Sequence, residues 1–134
     1  MRYLTLAEAM VVAESVTGID AKTLARASRL DLLDSALHAP QAGFGEDDFY
    51  PDFVTKAAVL VVRIVRNHPL LDGNKRLAWM SLVIFCALNG FELAPPAKDA
   101  VEAMIAIAGG EWDESQAESW LTPRIVAMEH PSDR

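Results

Sequence analysis

Phe53-Val54-Thr55-Lys56-Ala57-Ala58-Val59-Leu60-Val61-Val62-Arg63-Ile64-Val65-Arg66-Asn67 is the stretch on which the fold turns. Its second half has no polar face, and its β-branched residues would also suit a strand. Length decides for helix, because strands rarely exceed about ten residues. A helix that is apolar all round belongs at the centre of a domain. A second long helix is expected from about Asn74 to Asn89, with Gly90 as its C-terminal cap. Between the two lies a short loop, residues 68–73, where polar side chains concentrate.

Outward from this pair the chain reads as further helices. Thr5-Leu6-Ala7-Glu8 matches a capping box, so a helix should run from Leu6 to about Thr17 and stop at Gly18. A weaker helical stretch covers Ala21 to Ser28. Asp31 is expected to cap a short helix from Leu32 to His38, limited by Pro40. Residues 39–51 mix turn formers, acids and aromatics and read as a loop or small hairpin. After the Pro95-Pro96 break, Ala97 to Ala108 forms a helix ended by Gly109-Gly110. The last helix begins near Asp113 or Glu114 and continues past Trp120, with Pro123 kinking or interrupting it. The 134 residues fit one domain, 1–134, with a tail from about 122 expected to fray.

Composition narrows the function classes. Hydrophobic residues make up 51% of the chain, which excludes a disordered protein. A net charge of −7 makes direct nucleic-acid binding a poor expectation, since that needs clustered cations. The single cysteine, Cys86, lies in an apolar run and reads as a buried small hydrophobe. No secretory signal and no membrane span is expected, so the chain reads as cytoplasmic. His38 and His130 have no companions that suggest a metal or catalytic role and read as surface residues.

The chemistry is packed into His68-Pro69-Leu70-Leu71-Asp72-Gly73-Asn74-Lys75-Arg76. Gly73 admits unusual backbone conformations and close approach of a ligand. Asn74 opens a helix, whose free N–H groups and positive dipole end attract anions. Lys75 and Arg76 in that first turn oppose the dipole, a cost that a bound anion would offset. Asp72 puts a carboxylate beside the anion site, which suits Mg²⁺ shared with phosphate oxygens. His68 brings an imidazole, able to accept the proton of an attacking hydroxyl. Each part alone has an ordinary reading: a helix-capping His, an Asp-Gly-Asn turn, a solvated Lys-Arg pair. Together, between two buried helices, they are the parts of a phosphoryl-transfer site.

This segment resembles the Fic/Doc superfamily. The Fic motif reads H-P-F-x-[D/E]-G-N-G-R-x-x-R, and the Doc branch reads H-x-F-x-D-[A/G]-N-K-R. His68, Asp72, Gly73, Asn74, Lys75 and Arg76 occupy the matching positions. The resemblance extends to Leu32 through Gln41, Tyr50-Pro51, Lys56-Ala57-Ala58 and Leu88-Asn89-Gly90, and spans roughly residues 1–121. It implies an all-α Fic fold, a helical bundle with the motif loop between two buried central helices and a small flap hairpin. By carry-over His68 is the base and Asp72 holds Mg²⁺. Asn74 with the Gly73 backbone lines an anion hole, and Lys75 and Arg76 contact phosphates. Residues 43–50 resemble the flap that docks the target chain beside His68.

Leu70 replaces the family's Phe at a core-facing position, Lys75 replaces the second Gly of the Fic motif, and Trp79 replaces its final Arg. Lys at 75 is the Doc pattern. It implies a kinase that binds ATP reversed, so that the γ-phosphate faces a Thr or Ser hydroxyl of a translation factor, elongation factor Tu in that family. The resemblance further implies a toxin that inhibits translation, paired with a Phd-like antitoxin whose C-terminal helix lies in a toxin groove. Trp112 and Trp120 are candidates for lining that groove, against an ordinary role as core residues of the last helix. Two alternatives stay open at this point: protein adenylylation as in the wider family, and an inactive interaction domain.

Overall fold

The computed structural model describes residues 1–93 and 95–129. Helices α1 (Leu6–Thr17), α2 (Ala21–Ala27) and α3 (Leu30–His38) lead through a single 3-10 turn, Ala39–Gln41, into a hairpin of β1 (Gly43–Phe44) and β2 (Asp47–Asp48). The long helices α4 (Phe53–Asn67) and α5 (Asn74–Leu88) follow. Then come β3 (Phe91–Leu93), α6 (Ala97–Ala108), α7 (Glu114–Leu121) and β4 (Ile125–Ala127).

The fold is all-α with two minor strand pairs, and α4 is its axis. It packs against α3, α5, α6 and α7. Ala57 through Val62, together with Ile64 and Val65, are buried. The β-branched run therefore forms a helix, because burial on every side supplies the stability that local propensity does not. α5 covers one side of α4 through Leu77, Ala78, Leu82 and Phe85. Phe53 stacks on Phe85 and Phe91 at centroid distances of 4.9 and 4.5 Å.

The Thr5–Glu8 capping box forms as expected, with the Glu8 N–H donating to Thr5 Oγ1 at 3.1 Å and the Thr5 N–H to Glu8 Oε1 at 3.0 Å. Gly18 ends α1 in the left-handed conformation at φ 73°. Two details differ from the sequence reading. α3 begins at Leu30, so Asp31 lies within its first turn instead of capping it. Ile125–Ala127, within the stretch expected to fray, form β4, which pairs antiparallel with β3, Leu93 opposite Ile125, and Ile125 is buried. α7 runs past Trp120 to Leu121 and stops before Pro123, as the sequence reading expects. The expected surface position of His130 lies outside the described residues.

One buried cation stands out. Lys56, 2% exposed on α4, donates from Nζ to Asp48 Oδ2 at 2.6 Å and to the Pro40 carbonyl at 2.9 Å. The Tyr3 ring lies 5.5 Å from the ammonium. Burial is the largest single influence and would lower the lysine's pKa, but the hydrogen bonds and charges of Asp48 and Tyr3 together outweigh it and hold the ammonium above its ordinary value. The bond from Lys56 holds the Asp48 carboxyl below its ordinary value. This pair ties the β1–β2 hairpin to the central helix.

All three tryptophans gather at the other end of the bundle. Trp120 lies 6.4 Å from Trp79 and 6.1 Å from Trp112, ring centre to ring centre, and the Arg124 guanidinium covers its face. Each is partly buried against the core, as the ordinary reading of Trp112 and Trp120 holds. Among the described residues no helix is long and apolar enough to cross a membrane.

Candidate active site

The motif loop is built by the ends of two helices. α4 terminates at His68, which adopts the left-handed conformation (φ 48°, ψ 56°) while its N–H still donates to the Ile64 carbonyl at 3.2 Å. Among the described residues it is the one non-glycine with positive φ. Such backbone costs an L-residue about 1–2 kcal/mol. It turns the chain sharply and leaves the imidazole exposed. Gly73, at φ 89°, starts α5. A Cβ there would stand 3.1 Å from Thr17 Cγ2 and 3.4 Å from Arg76 Nη2, so glycine suits both the conformation and the space.

Between these two residues the loop is cross-braced. The Leu70 N–H donates to Asn74 Oδ1 at 2.9 Å, and Asn74 Nδ2 donates back to the Leu70 carbonyl at 2.9 Å. Both residues are buried, Asn74 to 5% exposure and Leu70 to 2%. One N–H and one lone pair of the Asn74 amide are thereby engaged with the loop, leaving its second N–H and the backbone at the start of α5 to a ligand. Leu70 packs into the core, where the resemblance puts a Phe. The Arg29 N–H donates to the Pro69 carbonyl at 2.8 Å, and Asn67 Nδ2 to the Leu32 carbonyl at 2.9 Å, fastening the loop to the start of α3.

A cleft of about 250 Å³ opens over this loop, lined by Val65, His68, Asp72, Gly73, Asn74, Lys75, Arg76 and Ala108. All six residues singled out from the sequence thus face one cavity. Lys75 is exposed. Arg76 is exposed too, but its Nη1 donates to the Val16 carbonyl at 2.7 Å, so the guanidinium is fixed at the C-terminal end of α1, where a cation is favoured. No residue of the β1–β2 hairpin is among those lining the cleft. Its Phe44 is 79% exposed and Phe49 60% exposed beyond it.

Sequence reasoning did not anticipate the bracing role of Asn74 or the burial of Lys56, since neither leaves a periodic signal. Trp112 and Trp120 do not line the apolar groove between α5 and α6. That groove, about 550 Å³ between α5 and α6, is lined by Trp79, Met80, Val101, Met104 and Ile105, with Lys75 and Arg76 at its edge. His38 is exposed and engages only its own helix, Nδ1 lying 2.8 Å from the Asp34 carbonyl.

A helical fold that presents His, Asp, Gly, Asn, Lys and Arg from one helix–loop–helix junction defines a class, and comparison with known proteins agrees. The model of the Fic/DOC family matches residues 4–86, more than half of the chain, and the protein belongs to that family. The match covers α1 through most of α5, including the whole motif loop. A protein of Mycolicibacterium smegmatis named Toxin Doc is 48% identical over 63 residues, 47% of this chain and 48% of that protein. The alignment therefore spans about half the length of this curated relative.

Proposed function

We propose that the protein is a Doc-like toxin that transfers the γ-phosphate of ATP to a Thr or Ser hydroxyl of a translation factor, with elongation factor Tu as the expected target. The observation that carries the reading is the convergence of His68, Asp72, Lys75 and Arg76 on one cleft at the N-terminus of α5. A base, a carboxylate, two cations and a helix start are what phosphoryl transfer requires, because its catalysis is positioning and charge stabilisation.

In this reading the target hydroxyl gives its proton to the His68 imidazole as its oxygen bonds to the γ-phosphorus. The bond from that phosphorus to the β-γ bridging oxygen breaks, and nucleoside diphosphate leaves. Lys75 and Arg76 bear on the phosphate oxygens, with the first-turn N–H groups of α5. The donor set fits Mg²⁺ in one specific way. Among the described residues no three His, Cys, Asp or Glu side chains gather to cage a metal. Asp72 alone fits an ion that arrives with the nucleotide and keeps waters and phosphate oxygens as its other ligands. When bound, Mg²⁺ would neutralise charge on the triphosphate beside Asp72.

Lys75 favours phosphate transfer over adenylylation, since a lysine stands where adenylylating relatives carry a glycine that admits the triphosphate tail. A Phd-like antitoxin helix is the expected partner. The α5–α6 groove supports that expectation, being apolar along its floor and cationic where it meets Lys75 and Arg76. Incubation with elongation factor Tu and either γ-labelled or α-labelled ATP tests the function. Label should enter from γ-ATP only and vanish with His68→Ala. Label from α-ATP alone would establish adenylylation instead.

A further inference from the structure

Segments far apart in the chain meet on one buried ammonium. Lys56, near the start of α4, reaches Asp48 of β2 and the Pro40 carbonyl, with the Tyr3 ring close by. The Asp48 carboxylate is held twice. Its Oδ2 accepts from Lys56 Nζ at 2.6 Å and its Oδ1 from the Tyr50 N–H at 2.9 Å. The hairpin that carries it is small. β1 and β2 have two residues each, and among the described residues no third strand joins them. A hairpin this short does not hold its shape in water by itself. Its attachment to α4 through Lys56 is what fixes it.

An apolar side chain in place of Lys56 would serve stability about as well, because desolvating both ions cancels most of what their attraction gains. What the pair adds is direction, a short charge-assisted bond between one point of the helix and one point of the hairpin. The hairpin also displays groups that gain from a fixed position. Phe44 and Phe49 are exposed on it, and the exposed carboxylates of Glu46 and Asp47 lie between them in the chain, while that of Asp48 is paired with Lys56. Aromatic rings held in water on a rigid support suit a partner surface. Strand edges without a neighbour present backbone N–H and carbonyl groups to an extended chain. Neither Lys56 nor any hairpin residue lines the cleft at His68, so this surface is placed for a macromolecule and not for the phosphates. Lys56 precedes His68 by twelve residues. That is about 18 Å of helix, a distance that about five or six residues of extended chain would span.

We propose that Lys56 is a positioning residue for the protein substrate. Its pair with Asp48 sets the pose of the hairpin. The hairpin takes an extended, basic segment of the substrate, with apolar side chains on Phe44 and Phe49 and a Lys or Arg beside Glu46 and Asp47. The inference rests on the transfer reading above and adds to it the residue that governs substrate affinity and the chemistry of the segment bound. Because Lys56 stands outside the cleft, its loss weakens the protein substrate and spares the nucleotide.

Transfer from γ-labelled ATP to elongation factor Tu, with each varied in turn, separates the two ligands. Lys56→Met keeps the length of the side chain and removes its charge. It should raise the KM for elongation factor Tu about tenfold, while kcat and the KM for ATP stay within about twofold. Asp48 is partly exposed, so Asp48→Glu has room; it keeps both charges but moves the hairpin. It should raise the same KM about threefold, and it carries the test alone if Lys56→Met does not fold. Phe44→Ser, at an exposed position, should raise that KM too. Combined with Lys56→Met it should add little, since both act through one hairpin. Without substrate, the Phe49 and Tyr50 amides, hydrogen-bonded in the wild type, should exchange faster in Lys56→Met. Amides that exchange as in the wild type overturn the attachment. An unchanged KM for elongation factor Tu, or a KM for ATP that rises in step with it, overturns the positioning role. Single effects that multiply in the double variant overturn the route through the hairpin. Wild-type protein that transfers no label to elongation factor Tu overturns the transfer reading itself, and this inference with it.

Discussion

Asn74 separates two accounts of the motif. The resemblance gives its side chain to the ligand, whereas the structure gives it to the backbone of Leu70, with one bond donated and one accepted, each 2.9 Å. Replacing Asn74 with Ala leaves the Leu70 N–H and carbonyl without partners in a site only 2% exposed. Each such group costs about 1–3 kcal/mol, and partial relaxation of the loop brings the sum to about 2–4 kcal/mol. For a chain of 134 residues the unfolding entropy converts this into a fall in Tm of about 7–14 °C. Asn74→Asp keeps the acceptor for the Leu70 N–H but sets a carboxylate oxygen against the Leu70 carbonyl, so it should fall by a similar amount at neutral pH. Thermal melts and urea titrations without nucleotide measure both. If both variants melt within about 2 °C of wild type while transfer is lost, the bracing account is wrong and the amide serves the ligand.

Gly73→Ala should destabilise by about 1–3 kcal/mol, since it combines positive φ with a 3.1 Å approach to Thr17 Cγ2. Adding Thr17→Ser, which removes that methyl, should recover part of the loss in urea titrations. His68→Asn should abolish transfer yet hold or raise Tm, because Asn tolerates the left-handed backbone better than His. Backbone N–H groups hold the Asp20 carboxyl below its ordinary pKa, with Thr23 the main donor, and the Lys56 ammonium does the same for Asp48. The stability they add is complete above the unfolded carboxylate value of about 4 and is lost as pH falls through the lower folded values. Asp48→Asn should flatten that acid limb in denaturation curves from pH 5 down to about 2. Burial pushes the Cys86 thiol up to about 12, so thiol reagents should modify it only in denaturant.

The helical frame was legible because its signals are local. Thr5 and Glu8 announce α1, and the apolar run of α4 announces the core by its length. That the six candidate residues share one cleft was legible as well, because a single helix–loop–helix junction carries them and sequence neighbours stay neighbours there. What escaped depends on distant partners. β3 and β4 have three residues each and become strands only by meeting across α6 and α7. Lys56 has the spacing of any helical lysine, and its burial follows from Asp48 and Pro40 folding back over it.

The tryptophan cluster gives the protein an optical property. All three indoles lie within one neighbourhood, so intrinsic fluorescence comes from a single place instead of being an average over the molecule. Trp79 is part of that neighbourhood and also of the α5–α6 groove wall. A helix settling into the groove would exclude water from its indole and shift the emission to the blue. Nucleotide entering beside His68 would leave the emission nearly unchanged. Partner binding and nucleotide binding could then be followed separately in one unlabelled sample.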